Sequence, residues 1–467
     1  MPEVRNVILA IALDLGSTSI KAGLLDQQGE LSNLISIPAP IVYADGMYYE
    51  SDALAYAEVA DQALSQCLVH AGGYPPLGLC SQRSSFVIWV AATGIPVTPL
   101  VSWQDSRGAA SCLALQSQES AISRLSGLRL APYFFAPKLR VVLLENPDWR
   151  NRLVSGELMV GTLDTFLIWR WTGGKHHIVD VSMAARTLLM DIHSQQWSAA
   201  LCDIFGIPVE ILPKITPSTG LNLPLANGLH LQASLGDQSA ALVASVGDNS
   251  EAALVNLGTG GFVMRYLEAV NDSSDGYLRT LVYQDNSHTA RIAIEGTLNS
   301  IAAGLAPYPV ADCRPEHMAQ NKDIFALAEP SGLGAPFFRG DIELQFSASI
   351  EQLAQNQICC LLLEAIVFRV VRILEDFNRG GAIKRVYLTG GLSGLAALQQ
   401  GIAQCVHQEV FHLQHKDASL QGAAMLAVGL NRVTHKDLVK VQLVEDNRAM
   451  PEKYQRWKLW LDKLLAT

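Results

Sequence analysis

The sequence lacks every cysteine pattern that would indicate a disulfide framework or a zinc site. Its eight cysteines are scattered over 467 residues, and none of them forms a C-x-x-C pair. The sequence also has no G-x-S-x-G elbow and no H-E-x-x-H helix, which removes two common hydrolase patterns. Scattered cysteines are typical of the reducing cytosol, where thiols pack as small apolar side chains. We therefore expect a cytoplasmic protein whose cysteines lie mostly in the core.

Net positive charge and long uncharged apolar runs are also missing. The net charge is −10, which argues against nucleic acid or an acidic membrane surface as a partner. The N-terminal apolar run passes into Asp14 without a cleavage site, and the stretch 358–374 contains Glu364 and two arginines. These patterns predict a strand and a buried helix rather than a signal peptide and a membrane span. A phosphorylated small ligand is not excluded, because it needs only a local site.

The length and the patterning predict at least two α/β domains. A chain of 467 residues exceeds one ordinary domain, and 49% apolar residues are typical of a well-packed globular protein. Strands alternate with helices in both halves, which favours largely parallel sheets. An apolar strand, a turn of the form L-G-[ST] and a second strand occur twice, as "DLGSTS" and "NLGTGG". This repeat predicts two related domains that face each other across a cleft.

Three glycine turns are candidates for phosphate binding, since a phosphate needs converging backbone N–H groups and no obstructing side chain. They lie at residues 14–21 with Lys21 as an added cation, at 256–260 and at 389–391. None of them matches G-x-x-x-x-G-K-[ST] or G-x-G-x-x-G, so the P-loop and the dinucleotide fingerprint are absent. One such turn is more often structural. Three turns in one chain, two of them copies, favour a nucleotide ligand.

Two carboxylates accompany these turns. Asp14 ends an apolar strand directly before the first turn, where it can hold Mg²⁺ through water or simply form the turn. Asp237 follows Gly236 and opens the apolar run "SAALVASVG". It can cap a helix, and the N-terminal helix position is expected to keep its carboxylate ionised, as a catalytic base requires. Gln238 beside it has no part in capping the helix, but its amide could bind a ligand.

Polar and aromatic side chains end two further predicted strands. Gln82 and Arg83 lie in "CSQRS", and Trp103 lies in "SWQDSR". An arginine can donate in a fork to substrate hydroxyls, and a tryptophan can lie against the carbon face of a polyol. Ordinary turn polarity and a core tryptophan explain the same residues equally well.

The order of the motifs resembles the FGGY carbohydrate kinases, and within them the glycerol kinases most closely. The matching pieces, in order along nearly the whole chain, are "ALDLGSTSIKAGLLD", "SQRSSFVIW", "WQDSR", "GLRLAPYFFAPKLRVVLLE", "GTLDTFLIWRWTGG", "SMAARTLLMDIHSQQW", "LGDQSAAL", "NLGTGGFVM", "SGLGAPFF" and "LTGGLSGLAAL". The resemblance implies an α/β protein of two ribonuclease H-like (actin-like) domains, with ATP and sugar in the cleft between them. We place the N-terminal domain at 1–246, with the sugar site and first phosphate turn, and the C-terminal nucleotide domain at 247–467.

The resemblance also implies a role for individual residues. Asp237 matches the catalytic base, and Asp14 with Asp237 matches the carboxylates at Mg²⁺. The positions that match the polyol site are Gln82, Arg83, Trp103, Tyr133, Asp237 and Gln238. The positions that match the ATP site are Gly16, Ser17, Thr18 and Lys21 in the first turn, Gly258, Thr259 and Gly260 in the second, and Gly390, Gly391 and Leu395 around the adenosine turn.

Three departures from the family pattern bear on specificity and assembly. Glycerol kinases carry a glutamate immediately after the matching arginine, whereas this chain has Ser84, which argues against glycerol as the acceptor. Leu395 stands where the family often has an asparagine for adenine, so base selectivity is expected to be looser. The region 304–325 is short relative to the family, which bears on oligomer contacts and regulation.

The expected activity is ATP-dependent phosphorylation of a hydroxyl on a small polyol or ketose. Glycerol, a pentulose and a heptulose stay open as acceptors, with a xylulokinase- or sedoheptulokinase-like enzyme as the alternative within the class. A non-catalytic actin-like ATP-binding module is the alternative outside it, although such a module has no need for Arg83, Trp103 and Tyr133. The expected partners are ATP, Mg²⁺ and a small-molecule substrate, with no nucleic acid and no membrane, and a homo-oligomer such as a dimer is left open.

Overall fold

The structure is a computed structural model that describes residues 7–268, 276–414, 417–430, 438–443 and 448–466. The chain divides into two compact units. Unit 1 runs to Gly247 and also contains residues 279–292 and 417–434, and unit 2 contains residues 248–278, 293–416 and those from 435 onward. The predicted boundary at 246/247 assigns residues 279–292 and 417–434 to the C-terminal domain, whereas the structure places them in unit 1. As a boundary between functional domains it stays a prediction.

The strands up to residue 236 are β1 (Ile8–Leu15), β2 (Ser19–Asp26), β3 (Leu31–Pro38), β4 (Tyr43–Asp45), β5 (Tyr48–Ser51), β6 (Leu77–Ser81), β7 (Phe86–Val90), β8 (Leu100–Val101), β9 (Leu158–Thr162), β10 (Ile178–Asp180), β11 (Met190–Asp191), β12 (Gln196–Trp197), β13 (Lys214–Thr216), β14 (Thr219–Pro224) and β15 (His230–Gly236). The later strands are β16 (Ala252–Leu257), β17 (Gly261–Leu267), β18 (Leu278–Gln284), β19 (Ala290–Leu298), β20 (Ala326–Leu327), β21 (Gln345–Phe346), β22 (Arg385–Thr389), β23 (Glu409–Leu413) and β24 (Leu438–Lys440).

The helices are α1 (Ala53–Leu68), α2 (Ala109–Ala114), α3 (Glu119–Ser126), α4 (Phe135–Glu145), α5 (Pro147–Val154), α6 (Leu163–Trp171), α7 (Val181–Ala184), α8 (Ala199–Phe205), α9 (Asp237–Val246), α10 (Ile301–Leu305), α11 (Gln355–Arg379), α12 (Ala396–Cys405), α13 (Ala418–Ala427) and α14 (Ala449–Leu465). Among the described residues, no helix combines the length and the apolar character needed to cross a bilayer. All eight cysteines are described and are free, and seven of them are buried.

Unit 1 is built on a six-stranded mixed sheet with the strand order β14-β15-β6-β1-β2-β3. The predicted meander at the N-terminus is confirmed: β1, β2 and β3 pair antiparallel through two tight turns. Strands β6 and β15 then lie parallel to β1, with β14 antiparallel at the edge. A five-stranded sheet of β4, β5, β8, β7 and β9 accompanies it.

Unit 2 repeats this plan. Five of its strands lie in the order β17-β16-β22-β23-β24, in which β16 pairs antiparallel with β17 and parallel with β22. The run β17-β16-β22-β23-β24 therefore matches β2-β1-β6-β15-β14 in strand direction, including the antiparallel edge strand. Each unit has its own hydrophobic core. The predicted internal repeat is confirmed, whereas the expectation of largely parallel sheets is wrong, because the tight glycine turns can join only antiparallel strands.

Helix α13 belongs to unit 1, although residues of unit 2 precede it in the sequence. It packs on β1, β6 and α9 through glycines. A Cβ atom added to Gly78 of β6 would overlap the carbonyl of Ala423, and one added to Gly422 would overlap the carbonyl of Ala240 in α9. The helix backbone therefore lies directly on the sheet and on α9, which a larger residue at either glycine would prevent.

We expect Gly422→Ala to destabilise unit 1 by about 1–3 kcal/mol, because the added methyl group has no space against a backbone carbonyl. Gly73→Ala is the matched control, since a Cβ atom there meets nothing within 4 Å and the backbone is not left-handed. The measurement is the free energy of unfolding in urea for both variants. Equal stability of the two variants would contradict the close packing of α13.

Candidate active site

The parallel strands of unit 1 bring three candidate segments to one edge of the sheet. Leu15 at the end of β1 and Gly236 at the end of β15 both align with Ser81 at the end of β6. Asp14, Arg83 and Asp237 therefore lie at or just beyond the same strand ends. In open α/β sheets, ligands bind at the carboxyl ends of the parallel strands.

Asp14 lies in β1, and the structure gives a hydrogen-bond partner among the described residues to only one of its two carboxylate oxygens. Its Oδ2 accepts a hydrogen bond from the hydroxyl of Ser419 at 2.5 Å, whereas its buried Oδ1 has no hydrogen-bond partner among the described residues. Burial raises the pKa of Asp14 to about 6, with a further rise from the negative charge of Asp237, while the hydroxyl of Ser419, the thiol of Cys80 and the charge of Lys21 lower it. Such a carboxylate, held close to a second one, favours the binding of a cation.

Helix α13 supplies two groups to this region that sequence reasoning missed. Ser419 fixes the orientation of Asp14, and Asp417 accepts a hydrogen bond from Lys21 Nζ at 2.8 Å. The two residues lie about 400 positions after their partners, so no local pattern could have found them. Lys21, predicted as a phosphate ligand, is thus paired with a carboxylate.

Asp237 is the first residue of α9, and Gly236 rather than Asp237 holds the N-cap position. Its Oδ1 accepts from the backbone N–H of Gln238 at 2.7 Å and lies 3.7 Å from Arg83 Nε. Burial raises the pKa of Asp237, while the charges of Arg83 and Arg186 act in the opposite direction. The backbone N–H of Gln238 at the helix start also lowers this pKa, as expected, but burial has the larger effect. A raised pKa makes a deprotonated carboxylate a better proton acceptor.

Hydrogen bonds through the hydroxyl of Ser182 fix the start of α9. The backbone N–H of Gly236 donates to Ser182 Oγ at 2.9 Å, and that hydroxyl donates to the buried carboxylate of Asp180 at 3.0 Å. Asp180 also accepts from Ser218 Oγ at 2.6 Å. The position of Asp237 thus depends on a buried polar network rather than on a surface loop.

Arg83 connects the residues around Asp237. Its guanidinium donates to Gln238 Oε1, and its side chain is largely buried. The absence of a side chain at Gly236 allows this approach, since a Cβ atom there would lie 2.9 Å from Arg83 Cδ. The predicted trio of Arg83, Asp237 and Gln238 therefore lies together in one hydrogen-bonded cluster.

Gln82 lies in a different environment from its neighbour. Its side chain is buried, donates to the hydroxyl of Tyr56 at 3.1 Å and accepts from Ser85 Oγ at 3.0 Å. Tyr56 in turn donates to the carbonyl of Gly16, and Ser85 accepts from the backbone N–H of Trp103. Gln82 thus links the first glycine turn to the segment of Trp103. Its predicted contact with a substrate stays a prediction.

Trp103 and Tyr133 are unusually exposed for large aromatic residues, at 42% and 41%. The ring of Tyr133 lies 4.4 Å from that of Phe134, and Arg186 lies over Phe134 at 5.3 Å. The charge of Arg186 also lowers the pKa of Asp237, so one arginine interacts both with the ring next to Tyr133 and with the predicted base. Exposed aromatic rings beside hydrogen-bonding groups are typical of sites that bind sugars.

Asp105 and Arg107, the charged residues of "WQDSR", connect the segment of Trp103 to its neighbours. Asp105 is fully buried and accepts from the backbone N–H of Tyr49 at 2.8 Å and from the side chain of Arg107. Arg107 also pairs with Glu50 at 2.5 Å. These bonds hold the β4–β5 hairpin next to the segment that contains Trp103. Within this motif, Trp103 and Gln104 are exposed.

Ser84 has a left-handed backbone with φ of 63° and a buried side chain. Its hydroxyl donates to the carbonyl of Arg186 at 3.2 Å. It therefore joins the Arg83 turn to the segment of Arg186, where a glutamate would instead present a charge. This contact supports the expectation that the polyol site differs from that of glycerol kinases.

The predicted nucleotide turns of unit 2 lie against each other. The turn at Gly258–Gly260 joins β16 to β17 and is closed by a hydrogen bond from the N–H of Gly258 to the carbonyl of Gly260 at 2.9 Å. Gly390 follows β22 with φ of 91°, and a Cβ atom on it would lie 2.5 Å from the carbonyl of Leu257. Because β16 and β22 are parallel neighbours, both turns lie at the same edge of the sheet.

Gly391 begins a short 3₁₀ turn, and Leu395 holds the N-cap position of α12 with its side chain packed on the core of unit 2. Thr259 accepts at its carbonyl from the N–H of Ala302 at 3.1 Å. A Cβ atom on Gly391 would meet nothing within 4 Å, which leaves space beside the turn. The roles of these residues in binding ATP stay predictions.

Comparisons with known proteins agree along almost the whole chain. Residues 9–255 match the N-terminal domain, and residues 253–429 the C-terminal domain, of the FGGY family of carbohydrate kinases. The chain is 30% identical to an apulose kinase from Pectobacterium atrosepticum, over 96% of each protein, and 29% identical to a glycerol kinase from Shewanella pealeana, over 89% of each. The fold is similar to that of a Plasmodium falciparum glycerol kinase solved with ADP, with a TM-score of 0.85 at 21% identity, covering 97% of this chain and 98% of that one.

Proposed function

Because the chain belongs to the FGGY family of carbohydrate kinases, we propose that it transfers the γ-phosphate of ATP to a hydroxyl of a small polyol or ketose, with Asp237 as the general base. The observation that carries this proposal is the cluster at the strand ends of unit 1. There, Asp237 has a raised pKa and lies 3.7 Å from Arg83, in the same cluster as Gln238. Trp103 and Tyr133 add exposed aromatic surface for the carbon skeleton of the acceptor.

In the proposed mechanism, Asp237 accepts the proton of the acceptor hydroxyl as its oxygen attacks the γ-phosphorus. Arg83 and Gln238 orient the neighbouring hydroxyls, and their bond to each other keeps both side chains in place before the acceptor binds. The transition state of phosphoryl transfer is loose, so positioning and charge neutralisation contribute more than the strength of the base.

Mg²⁺ fits the carboxylates of this cluster. Asp14 Oδ1 is buried without a hydrogen-bond partner in the described part of the chain, and the charge of Asp237 raises the pKa of Asp14. A divalent cation would satisfy that oxygen and remove the repulsion between the two carboxylates. When bound, Mg²⁺ neutralises charge on the phosphates. Asp14 and Asp237 would hold it, directly or through water.

ATP is proposed to bind through the three glycine turns. Gly16, Ser17 and Thr18 connect β1 to β2, and Lys21 would exchange its bond with Asp417 for one to a phosphate. The turns at Gly258–Gly260 and at Gly390–Gly391 would receive the remaining phosphates and the adenosine, because a Cβ atom on Gly258 would meet nothing closer than 3.7 Å and one on Gly391 nothing within 4 Å. Leu395 would contact adenine by packing alone, which favours a loose selectivity for the base.

The acceptor is proposed to be a ketose rather than glycerol. Ser84 stands where glycerol kinases have a glutamate, and its hydroxyl is bonded to Arg186. The relatives named above are an apulose kinase and a glycerol kinase. A pentulose and a heptulose are therefore both proposed as acceptors, and glycerol is the alternative within the class.

The experiment is a coupled assay of ADP formation with MgATP and, one at a time, D-apulose, D-xylulose, D-ribulose, D-sedoheptulose and glycerol. We expect one ketose to stimulate ADP formation well above the rate without acceptor, and glycerol to stimulate it less. The absence of stimulation by all of these compounds would favour the non-catalytic ATP-binding module. Binding of ATP alone would then be its remaining activity.

The proposed setting of the reaction is the cytoplasm, which supplies ATP and agrees with eight free cysteines. The substrate is a small molecule, with neither nucleic acid nor a membrane as a partner. A homo-oligomer such as a dimer, and a ligand cleft between the two domains, stay predictions from the family resemblance.

A further inference from the structure

Lys138 is a fully buried cation that takes no part in the proposed chemistry. It lies in the first turn of α4, with none of its surface exposed. Its Nζ donates to two backbone carbonyls, that of Ser84 at 2.8 Å and that of Ser102 at 2.7 Å. Burying an ammonium group is unfavourable unless its bonds are needed, and an apolar side chain would be the ordinary choice here.

The two carbonyls belong to the segments that carry the predicted acceptor residues. Ser84 directly follows Arg83, and Ser102 directly precedes Trp103. The third such residue, Tyr133, lies two positions before Phe135, at which the helix of Lys138 begins. One ammonium group therefore joins the three segments from which Arg83, Trp103 and Tyr133 project.

The groups around Lys138 offset only part of the cost of burying its charge. Asp105 attracts the cation, but its carboxylate is already bonded to Arg107 and to the backbone of Tyr49. The charge of Arg107 opposes it, and the ring of Phe86 lies 5.8 Å away. Burial lowers the pKa of Lys138 to about 7. Burial therefore disfavours the ammonium form, and the two carbonyl bonds offset only part of this cost.

We propose that Lys138 is the positioning residue of the acceptor pocket, holding the turn of Arg83 and the segment of Trp103 at a fixed distance from the start of α4. It contacts no reacting atom. Its contribution is the geometry of the acceptor-binding side chains, so it determines the KM for the acceptor and leaves that for ATP unaffected. This inference rests on the proposed function.

The variant Lys138→Met keeps the length and the apolar stem of the side chain and removes the donors. We expect it to raise the KM for the ketose identified in the assay above by about 10- to 100-fold, since a displacement of about 1 Å has effects of that size. The KM for ATP should change by less than about twofold.

The matched control is Lys453→Met in unit 2. Lys453 is also buried and donates to Glu364 and to the carbonyl of Asn321, but it touches none of the acceptor segments. The variant Lys453→Met should be less stable than the wild type, but its KM for the acceptor should be unchanged. An equal rise of the acceptor KM in both variants, or an unchanged acceptor KM in Lys138→Met, would overturn the proposal. If Lys138→Met does not fold, Lys138→Gln replaces it, because its shorter amide cannot reach both carbonyls and should shift the same KM.

Hydrogen exchange tests the same inference without any substrate. In Lys138→Met, the amides of residues 83–86 and 102–106 should exchange at least about tenfold faster than in the wild type, whereas those of 14–21 should not. Equal acceleration of all these segments would mean that Lys138 only stabilises the fold. If the wild type phosphorylates none of the ketoses, the proposed function fails, and this exchange measurement alone still decides the role of Lys138.

Discussion

Asp237→Asn is expected to lower kcat for acceptor-dependent ADP formation by about 10²- to 10⁴-fold, the usual contribution of a positioned general base. Asparagine keeps the shape and can still accept the hydrogen bond from Gln238 N–H, but it cannot take up the proton of the attacking hydroxyl. The variant should still bind ATP, because the three glycine turns do not depend on this carboxylate. Steady-state kinetics with the active ketose, together with a binding titration of ATP, measures both quantities.

Asp61→Asn is the control for this variant. Asp61 also lies in unit 1 and accepts a hydrogen bond from Trp171 Nε1 at 2.7 Å, outside the cluster of Asp237. It should leave kcat close to that of the wild type. A full rate of acceptor phosphorylation by Asp237→Asn would remove Asp237 from the role of the base, and another group would then have to accept the proton.

Asp14→Asn is expected to have the second largest effect, a loss of about 10²- to 10³-fold in kcat/KM for MgATP. The substitution removes a negative charge from the pair that would attract the cation, while Ser419 can still donate to the remaining oxygen. The concentration of Mg²⁺ that gives half-maximal activity should rise. Titration with Mn²⁺ followed by electron paramagnetic resonance measures the loss of cation binding without any turnover.

Asp26→Asn is the matched control at the other end of the same hairpin. Asp26 is buried and accepts hydrogen bonds from the N–H groups of Gln28 and Glu30 in the turn after β2. Its substitution should lower stability and leave cation binding unchanged. An unaltered Mn²⁺ affinity in Asp14→Asn would contradict the assignment of Asp14 to the metal.

The sequence allowed the frame of the site to be predicted because its signals are local. An apolar strand, a glycine turn and a second strand occur within about twenty residues, so the two hairpins and their equivalence in the two units could be recognised. Asp237 could be placed at a strand-to-helix junction for the same reason. The directions of the remaining strands could not be predicted, since nothing in one strand encodes its neighbour.

The residues that the sequence did not reveal act over long separations. Ser419 and Asp417 reach the first glycine turn only because α13 returns to unit 1. Arg186 could have been suspected from its place in "SMAARTLLMD", but its approach to Asp237 depends on tertiary packing. The bonds of the Gln82 amide to Tyr56 and Ser85 likewise join segments far apart in the sequence, and no local pattern could have indicated them.

The central claim is that Asp237 enables transfer of phosphate from ATP to an acceptor hydroxyl. The most direct test follows the fate of the γ-phosphate by ³¹P nuclear magnetic resonance, with MgATP and the active ketose, for the wild type and Asp237→Asn. We predict a phosphomonoester signal that grows in equal amount with ADP in the wild type and is nearly absent in the variant. Release of inorganic phosphate alone by the wild type, or an undiminished ester signal in the variant, would contradict the claim.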